Sequence, residues 1–322
     1  MLKDAHILVA GGAGFLGANL IARLSQSGAR LRATLHEHEP ARPVDGVEYV
    51  NVDLQDLESC RGAVNDIDYV FMCAANTQGA AVMTGTPLAH VTPNVVMNTH
   101  MLEASHQAGV KKFAFLSSGA AYPDTGARPV SETEMFSAEP ADVYYAVAWM
   151  KRYTEILCHT YAERVTPPMP CLVVRPSNVY GPGDKFDPKT SHVTASLIRR
   201  VAERENPMEI WGTGEDVRDL IYIDDFLDGL LAAFERSGDF LAVNICSGSG
   251  NSVKDILMKA MEVDGYTDAD IRFDPSKPST APIKLFDGTL ARDLLDFQPK
   301  IDLAEGLRRT LDWYRTNIRD SS

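Results

Sequence analysis

Three glycines in the segment GGAGFLG are spaced so that the segment could bind a phosphate group. Gly11, Gly14 and Gly17 directly follow the apolar run HILVA and open a stretch of helical apolar spacing. Such glycines permit a tight turn, a close backbone approach to a pyrophosphate and close helix packing, and the helix N-terminus offers free N–H groups. The segment therefore predicts a dinucleotide-binding loop, which includes Phe15 and Leu16, rather than a turn that serves packing alone.

The end of the second predicted strand gives conflicting signals about which dinucleotide binds. An acid about 20 residues after the loop would bind a ribose 2′-OH and favour NAD, whereas a base would favour the 2′-phosphate of NADP. Glu37 favours NAD, while His36, His38 and Arg32 favour NADP. All four could equally be solvated turn residues. The cofactor is therefore NAD or NADP, with a slight preference for NADP.

Two later strand ends carry further candidate contacts of the cofactor. Asp53, with Leu54 beside it, follows the third predicted strand and is a candidate for the adenine edge. Ala74 and Ala75 follow the fourth, where small side chains would let the nicotinamide ribose approach closely.

Strand-like and helix-like segments alternate through the first half of the chain. Six strands are predicted at HILVA, ARLRATL, VEYVNVD, DYVFMCAA, KKFAFLSS and CLVVRP, and helices at 15–27, 94–108 and 143–163. This alternation predicts a Rossmann-type, doubly wound α/β fold, in which helices cover both faces of a parallel sheet.

The composition of the chain changes after about residue 176. Pro, Gly and Asp become frequent, and helices are predicted at 191–204, 224–236, 252–262 and 303–317. We expect a dinucleotide-binding domain at 1–176, to which segments at about 212–245 return. Residues 177–322 would form mainly a smaller C-terminal α/β lobe that binds the substrate.

Composition and charge exclude several classes of partner. The chain has 322 residues, is 45% hydrophobic and carries a net charge of −13, which argues against binding to a nucleic-acid backbone. Its five cysteines show neither zinc-site nor disulfide spacing, so no metal site is predicted. Neither a signal peptide nor a run of apolar residues long enough to span a membrane is recognisable. The expectation is a cytoplasmic protein without membrane contact.

Several landmarks together resemble the extended short-chain dehydrogenase/reductases, the nucleotide-sugar epimerase/dehydratase family. They are GGAGFLG, CAA, FLSSGAAYP, RPSNVYGPGD and VRDLIYIDD, in the order of that family. Within it, YGPGDKFDPKTSHVTASLIRR and WGTGEDVRDLIYIDD are similar to segments of GDP-L-fucose synthase-like epimerase/reductases. The resemblance implies the Rossmann-type fold, a nicotinamide cofactor, a nucleotide-sugar substrate and a homodimer formed through the helices at 94–108 and 143–163.

The resemblance also implies which residues catalyse. In this family a tyrosine moves the proton, a lysine four residues later lowers the pKa of that tyrosine and binds the nicotinamide ribose, and a serine or threonine hydroxyl holds the substrate oxygen. Ser118 matches the hydroxyl, although it could simply cap a strand end. Lys151 matches the lysine, because Glu155 then follows it as in the relatives.

This register places Val147 at the tyrosine position. The other register pairs Tyr145 with Trp149, and an indole cannot supply a cation. The tyrosine could have been lost naturally or by engineering, or Tyr144 or Tyr145 could substitute for it. The protein could also bind its ligands without normal redox turnover, as a catalytically silent sensor.

The resemblance supplies the substrate-side candidates as well. Arg218 matches an arginine that binds the diphosphate, and Trp211 lies near the sugar. His192 matches an acid/base histidine, although a histidine there could also be a helix cap. Apart from the resemblance, Asn178 begins a loop at the carboxyl end of strand six, the edge at which α/β sheets bind ligands, and Lys284 could approach the nucleotide. Arg218 could instead form a surface ion pair with Asp216 or Asp219.

The sequence thus predicts a nicotinamide-dependent nucleotide-sugar epimerase/reductase, with a GDP-4-keto-6-deoxy-hexose as the expected substrate. A UDP- or dTDP-sugar 4-epimerase or dehydratase is the alternative enzyme. A silent cofactor-binding or sugar-nucleotide-binding protein is the alternative from another class.

Overall fold

A seven-stranded parallel sheet forms the centre of the computed structural model, which describes residues 2–76, 86, 88–188, 190–277 and 282–318. The strand order is β10-β6-β5-β4-β1-β2-β3. The sheet consists of β1 (His6–Ala10), β2 (Arg30–Leu35), β3 (Val47–Asn51), β4 (Tyr69–Met72), β5 (Lys112–Leu116), β6 (Cys171–Pro176) and β10 (Phe240–Ile245). The Rossmann-type fold predicted from the alternating pattern is confirmed.

Helices cover both faces of this sheet and continue into the C-terminal half. They are α1 (Phe15–Leu24), α2 (Leu57–Ala63), α3 (Leu88–Gln107), α4 (Tyr145–Glu163), α5 (Val193–Ala202), α6 (Ile223–Arg236), α7 (Val253–Asp264), α8 (Thr289–Leu295) and α9 (Leu303–Asn317). Two buried apolar clusters, one on each face, fill the space between helices and sheet. No described helix is long and apolar enough to cross a membrane.

Two smaller sheets lie in the C-terminal half. In one, β9 is flanked by β11 and β13 and also pairs with β7; in the other, β8 pairs with β12. Their strands are β7 (Asn178–Tyr180), β8 (Met208–Trp211), β9 (Val217–Tyr222), β11 (Gly250–Ser252), β12 (Ile271–Asp274) and β13 (Ile283–Lys284). The strand Phe240–Ile245 returns to the main sheet beside β6, whereas Val217–Tyr222 does not. The division of the chain near residue 176 stays a prediction.

The order of the strands creates one place for a ligand. From β1 the chain continues outward through β2 and β3, and then crosses to the other side of β1 to form β4, β5 and β6. The loops after β1 and β4 therefore leave the sheet in opposite directions, and a crevice opens between their carboxyl ends. The predicted glycine loop and the predicted alanines follow these two strands.

Some helix boundaries differ from the predicted ones. The helix predicted from 94 begins at Leu88 and contains Pro93. Proline has no N–H to bond the carbonyl of Ala89 four residues earlier, and the side-chain amide of Asn76 donates to that carbonyl instead (3.3 Å). Helix α2, which we did not predict, is capped by Asp56, whose carboxylate accepts from the Ser59 N–H at 2.7 Å.

Candidate active site

The glycine loop packs directly against the end of β4. Gly11 has a φ of +84°, and a Cβ there would lie 2.7 Å from backbone atoms of Ala74. A Cβ at Gly17 would lie 2.2 Å from the carbonyl oxygen of Gly11. Gly14 is the N-cap of α1, whose first turn carries no acidic side chain. The structure thus brings the loop, Ala74 and a helix N-terminus suited to an anion into one crevice.

The residues that bear on cofactor selectivity around the end of β2 have different surroundings in the structure. His36 and Glu37 are exposed directly after the strand. Arg32 is engaged elsewhere: its guanidinium donates to Glu48 (2.8 Å) and to the carbonyls of Ala63 (3.0 Å) and Asn65 (2.9 Å). Arg32 thus has partners on β3 and at the C-terminal end of α2, and its part in the preference for NADP stays a prediction.

The strand ends around this crevice differ in exposure. Asp53 is exposed, and its carboxylate accepts from the Gln55 N–H at 2.9 Å, while Leu54 is buried at 5% exposure. Ala75 is exposed beside the half-buried Ala74. Their contacts with an adenine or a ribose stay predictions.

Lys151 extends from α4 towards the carboxyl ends of β4 and β5. Its ammonium donates to the Leu116 carbonyl (2.8 Å) and lies 4.7 Å from the centre of the Phe115 ring. Desolvation lowers the pKa of Lys151 to about 8, although the nearby Glu155 and Cys73 favour its charged form. The lysine is therefore positioned at the same strand ends as Ala74, where it could donate to a ribose hydroxyl.

The orientation of α4 bears on the two registers of its sequence. Tyr145 and Trp149 are exposed, at 52% and 38%, and their rings contact each other at 6.4 Å between centroids. Val147 is half-buried one turn before Lys151, and residues four apart share a helix face. The pair Val147 and Lys151 thus lies towards the strand ends, whereas Tyr145 and Trp149 lie on the outer side.

Ser118 lies two residues after the end of β5, next to a second lysine that comes from far along the chain. The Ser118 hydroxyl accepts from the Ala120 N–H at 3.1 Å, so it does cap a short helical turn, and it can still donate its own proton. Lys284 donates to the carbonyl of Gly119 at 3.1 Å. Its ammonium also lies 4.1 Å from the centre of the Tyr144 ring. Ser118, Tyr144 and Lys284 therefore share one small region.

Arg218 lies beside Lys284 on the neighbouring strand. The two residues are partners in the register of β9 and β13. Arg218 is buried at 5% exposure, and its guanidinium contacts Asp216 (3.2 Å) and the carbonyls of Val217 (2.8 Å) and Pro282 (3.3 Å). The predicted pairing with Asp216 is present, although it is partly buried, with side chains 7% and 26% exposed. The two adjacent basic side chains, Arg218 and Lys284, form a region suited to an anion.

The remaining candidates lie further apart in the described structure. Asn178 starts β7, which pairs with β9 so that Asn178 is opposite Leu220. Trp211 is 57% exposed at the end of β8. His192 is the N-cap residue of α5 without a side-chain capping bond. The residue is exposed overall, while desolvation and the charge of Lys185 lower the pKa of its imidazole. No described contact joins His192 or Trp211 to Ser118.

A buried ionic network lies beneath the site, and we did not predict it from the sequence. The carboxylate of Glu155 bonds the hydroxyl of Ser117 and the guanidinium of Arg175, at 2.6 Å for the shortest Arg175 contact. Arg175 also donates to the Tyr122 hydroxyl (2.9 Å), which in turn donates to Asn244 (2.6 Å). The only sequence signal was the spacing of Lys151 and Glu155. The network joins α4, β5, β6 and β10 directly under Ser118 and Lys151.

The fold and the glycine-lined crevice define a Rossmann-type dinucleotide-binding protein. The chain belongs to the NAD dependent epimerase/dehydratase family, whose model matches residues 7–246. The resemblance predicted from the sequence landmarks is thereby confirmed.

Characterised relatives of the chain act on nucleotide-linked sugars. It is 29% identical to GDP-L-fucose synthase 1 of Arabidopsis thaliana, over 98% of this chain and 95% of the relative. It is 30% identical to dTDP-4-dehydro-6-deoxy-D-allose reductase of Streptomyces bikiniensis, over 97% of each chain. The family is thus one of nucleotide-sugar epimerases and reductases that use a nicotinamide cofactor.

Solved structures give the same assignment. The UDP-glucose 4-epimerase of Thermotoga maritima with UDP-glucose superposes with a TM-score of 0.88 at 28% identity, covering 97% of this chain and 99% of that one. MoeE5 in complex with UDP-glucuronic acid and NAD has a TM-score of 0.84 at 25% identity, with 98% and 100% covered.

Proposed function

We propose that this protein is a nucleotide-sugar epimerase/reductase that acts on a GDP-4-keto-6-deoxy-hexose. The carrying observation is the ammonium of Lys151, which is held at the end of β5 and interacts with Cys73, the neighbour of the Ala74 that packs against the glycine loop. Ser118, Arg218 and Lys284 extend the same region into the C-terminal half. In this proposal, residues 1–176 bind the cofactor and residues 177–322 mainly bind the substrate.

The residues present fit a nicotinamide dinucleotide. The Gly14 end of α1 would hold the pyrophosphate, and Lys151 would donate to the nicotinamide ribose. A bound reduced nicotinamide supplies the hydride that converts a sugar ketone to an alcohol. Ser118 would hold the ketone oxygen, and Arg218 would hold the substrate diphosphate. His192 would exchange protons on a carbon beside the ketone, as an epimerisation requires, with Trp211 and Asn178 beside the sugar.

The test is turnover with GDP-4-keto-6-deoxy-mannose and reduced cofactor, with UDP-glucose and dTDP-4-keto-6-deoxy-glucose as comparison substrates. A reductase consumes reduced cofactor in proportion to product, whereas a 4-epimerase regenerates its cofactor internally and releases none. Consumption of NADPH or NADH with the GDP sugar is expected. Interconversion of UDP-glucose and UDP-galactose without net cofactor consumption would contradict the proposal and support the 4-epimerase.

Val147 favours a second candidate function, that of a silent binding protein. Valine has no proton to transfer, so the same crevice could bind cofactor and sugar nucleotide without reaction. Calorimetric titration with NADPH and with GDP-mannose tests binding separately from turnover. Tight binding of both, with no conversion of any of the three sugar nucleotides, would support this second function over the first.

The identity of the cofactor can be read from the purified protein. Two exposed histidines, His36 and His38, flank the acid Glu37 after β2, which keeps the slight preference for NADP. Mass spectrometry of the dinucleotide released on denaturation is expected to show a 2′-phosphate. Release of NAD alone would contradict this preference while leaving the proposed reaction class intact.

Substitution of Gly17 is expected to weaken cofactor binding strongly. In Gly17→Ala the new methyl group would lie 2.2 Å from the Gly11 carbonyl oxygen, so α1 must move away from the loop that carries the pyrophosphate. We expect a loss of cofactor affinity of about tenfold or more, measured by calorimetric titration. Gly62→Ala is the matched control, because a Cβ at Gly62 meets no atom within 4 Å. Equal affinities in the two variants would contradict the assigned loop.

We further propose that the protein is a homodimer. Tyr145, Trp149, Tyr153 and Ile156 are exposed along one side of α4, at spacings that share a helix face. Sedimentation equilibrium is expected to show a dimer for the native chain and a monomer for Ile156→Arg, since an unpaired charge in an apolar interface is costly. A native chain that stays monomeric at tens of micromolar would contradict the dimer.

A further inference from the structure

Reduction of a ketone at this site needs a proton as well as a hydride. The family's donor is a tyrosine on the helix that carries the lysine, and this chain has Val147 there. Lys151 donates to the Leu116 carbonyl on the cofactor side, and the guanidinium of Arg218 does not give up its proton at ordinary pH. The donor must therefore be sought among the other polar groups next to Ser118.

Lys284 lies at the right place for this task. Its ammonium bonds the carbonyl of Gly119, the residue that directly follows Ser118 in the chain, at 3.1 Å. The ring of Tyr144 lies beneath the ammonium, 4.1 Å from its centre, and keeps it there by a cation–π contact. Tyr144 precedes Val147 by three residues, so Lys284 lies near the start of α4, where Val147 occupies the position of the family's tyrosine.

The surroundings of Lys284 allow it to exchange a proton near neutrality. Within the described part of the chain, it forms no ion pair with a carboxylate. The charged and titratable groups that face it are Arg218 from β9, Asp124 from the segment after β5 and Tyr144 from the start of α4. Desolvation and, to a smaller extent, the charge of Arg218 lower the pKa of Lys284 to about 7, while the charge of Asp124 opposes them.

We propose that Lys284 is the proton donor to the substrate's ketone oxygen, a role that rests on the proposed function. The ketone carbon accepts the hydride, the carbon–oxygen π bond breaks, and the oxygen takes a proton from the Lys284 ammonium. The sugar is reduced and the nicotinamide is oxidised. Lys284 is left as a neutral amine, which takes up a proton from water before the next turnover.

The opposing view is that Lys284 only holds the substrate diphosphate by its charge. Lys284→Arg separates the two, because arginine keeps the positive charge but does not release a proton at ordinary pH. If Lys284 is the proton donor, Lys284→Arg is expected to lose about 10- to 100-fold in kcat with KM changed little. If Lys284 only holds the diphosphate, the variant is expected to keep its kcat. Lys259→Met, an exposed lysine on α7 that pairs with Glu262, is the control.

The pH profile gives a second readout that a binding role would not alter. Only the ammonium form can donate, so the native kcat is expected to be level below pH 7 and to fall above it. In Lys284→Arg this fall is expected to disappear along with most of the rate. The double variant Lys284→Arg/Val147→Tyr is expected to recover the activity that Lys284→Arg loses, since a tyrosine then supplies the proton.

The outcomes separate this inference from the proposed function. Native activity that survives unchanged in Lys284→Arg, or a rise in KM alone, overturns the role of Lys284 and leaves the reductase standing. Absence of any NADPH- or NADH-dependent conversion of GDP-4-keto-6-deoxy-mannose by the native chain overturns both. Loss of kcat that Val147→Tyr restores supports both.

Discussion

Replacing Val147 with tyrosine is expected to raise kcat for reduction of the 4-keto sugar by about tenfold, the part of a general acid's contribution that Lys284 does not already supply. A tyrosine there would share a helix face with Lys151, the arrangement that the family resemblance implies for proton transfer. General acid catalysis by a well-positioned group contributes about 10²- to 10⁴-fold. Part of that gain is already supplied by Lys284 in the proposed native reaction. Single-turnover oxidation of reduced cofactor measures the effect on the chemical step.

Val147→Phe is the control for this experiment. It adds the same ring without a hydroxyl, so it should reproduce any change in packing or binding but none of the gain in kcat. Equal rates for the native chain and Val147→Tyr, with both ligands bound, would show that residue 147 is not the tyrosine position. Absence of turnover in both proteins, with both ligands bound, would instead support the silent binding function.

Removing the charge of Glu155 is expected to give the largest loss of stability. The side chains of Glu155 and Arg175 are only 3% and 4% exposed. Glu155→Gln leaves the guanidinium buried without its anion, which typically costs about 3–5 kcal/mol in the free energy of unfolding. The bonded hydroxyl of Ser117 precedes Ser118, so kcat should fall as well. Urea denaturation measures the first effect and steady-state kinetics the second.

Glu262→Gln is the matched control on an exposed helix face. The side chain of Glu262 is 68% exposed and pairs with Lys259 three residues before it. Exposed pairs of this kind contribute about 0–1 kcal/mol. Comparable destabilisation in Glu155→Gln and Glu262→Gln would show that the buried network does not hold α4 against the sheet.

The parallel sheet and the cofactor loop could be predicted because their signals are local. Apolar runs that end in glycine specify buried parallel strands, and Gly11, Gly14 and Gly17 keep a spacing that follows from turn and helix geometry. The start of α3 could not be predicted in the same way. Helix α3 contains a proline, and the carbonyl of Ala89 that Pro93 cannot bond accepts from the side chain of Asn76. Because Asn76 lies in a different loop, this compensation is not visible in the sequence of the helix.

The residues around Ser118 could be predicted only in part. Resemblance indicated Ser118, Lys151 and Arg218 individually, and Lys284 was a separate candidate, yet the contact of Lys284 with Tyr144 joins residues from distant parts of the sequence. The partners of Arg32 on β3 and at the end of α2 could not be predicted either, since they are set by tertiary packing and not by sequence proximity. Side-chain partners across a sheet follow from tertiary packing, which a pattern in one segment does not contain.

The most direct test of the account is a crystal structure with NADP(H) and GDP-mannose bound. We expect the dinucleotide pyrophosphate at the N–H groups that begin α1, the nicotinamide ribose within hydrogen-bonding distance of the Lys151 ammonium, and the hexose between Ser118 and Lys284. A dinucleotide bound elsewhere, or a hexose more than about 6 Å from both the Ser118 hydroxyl and the Lys284 ammonium, too far for one intervening water, would contradict the account.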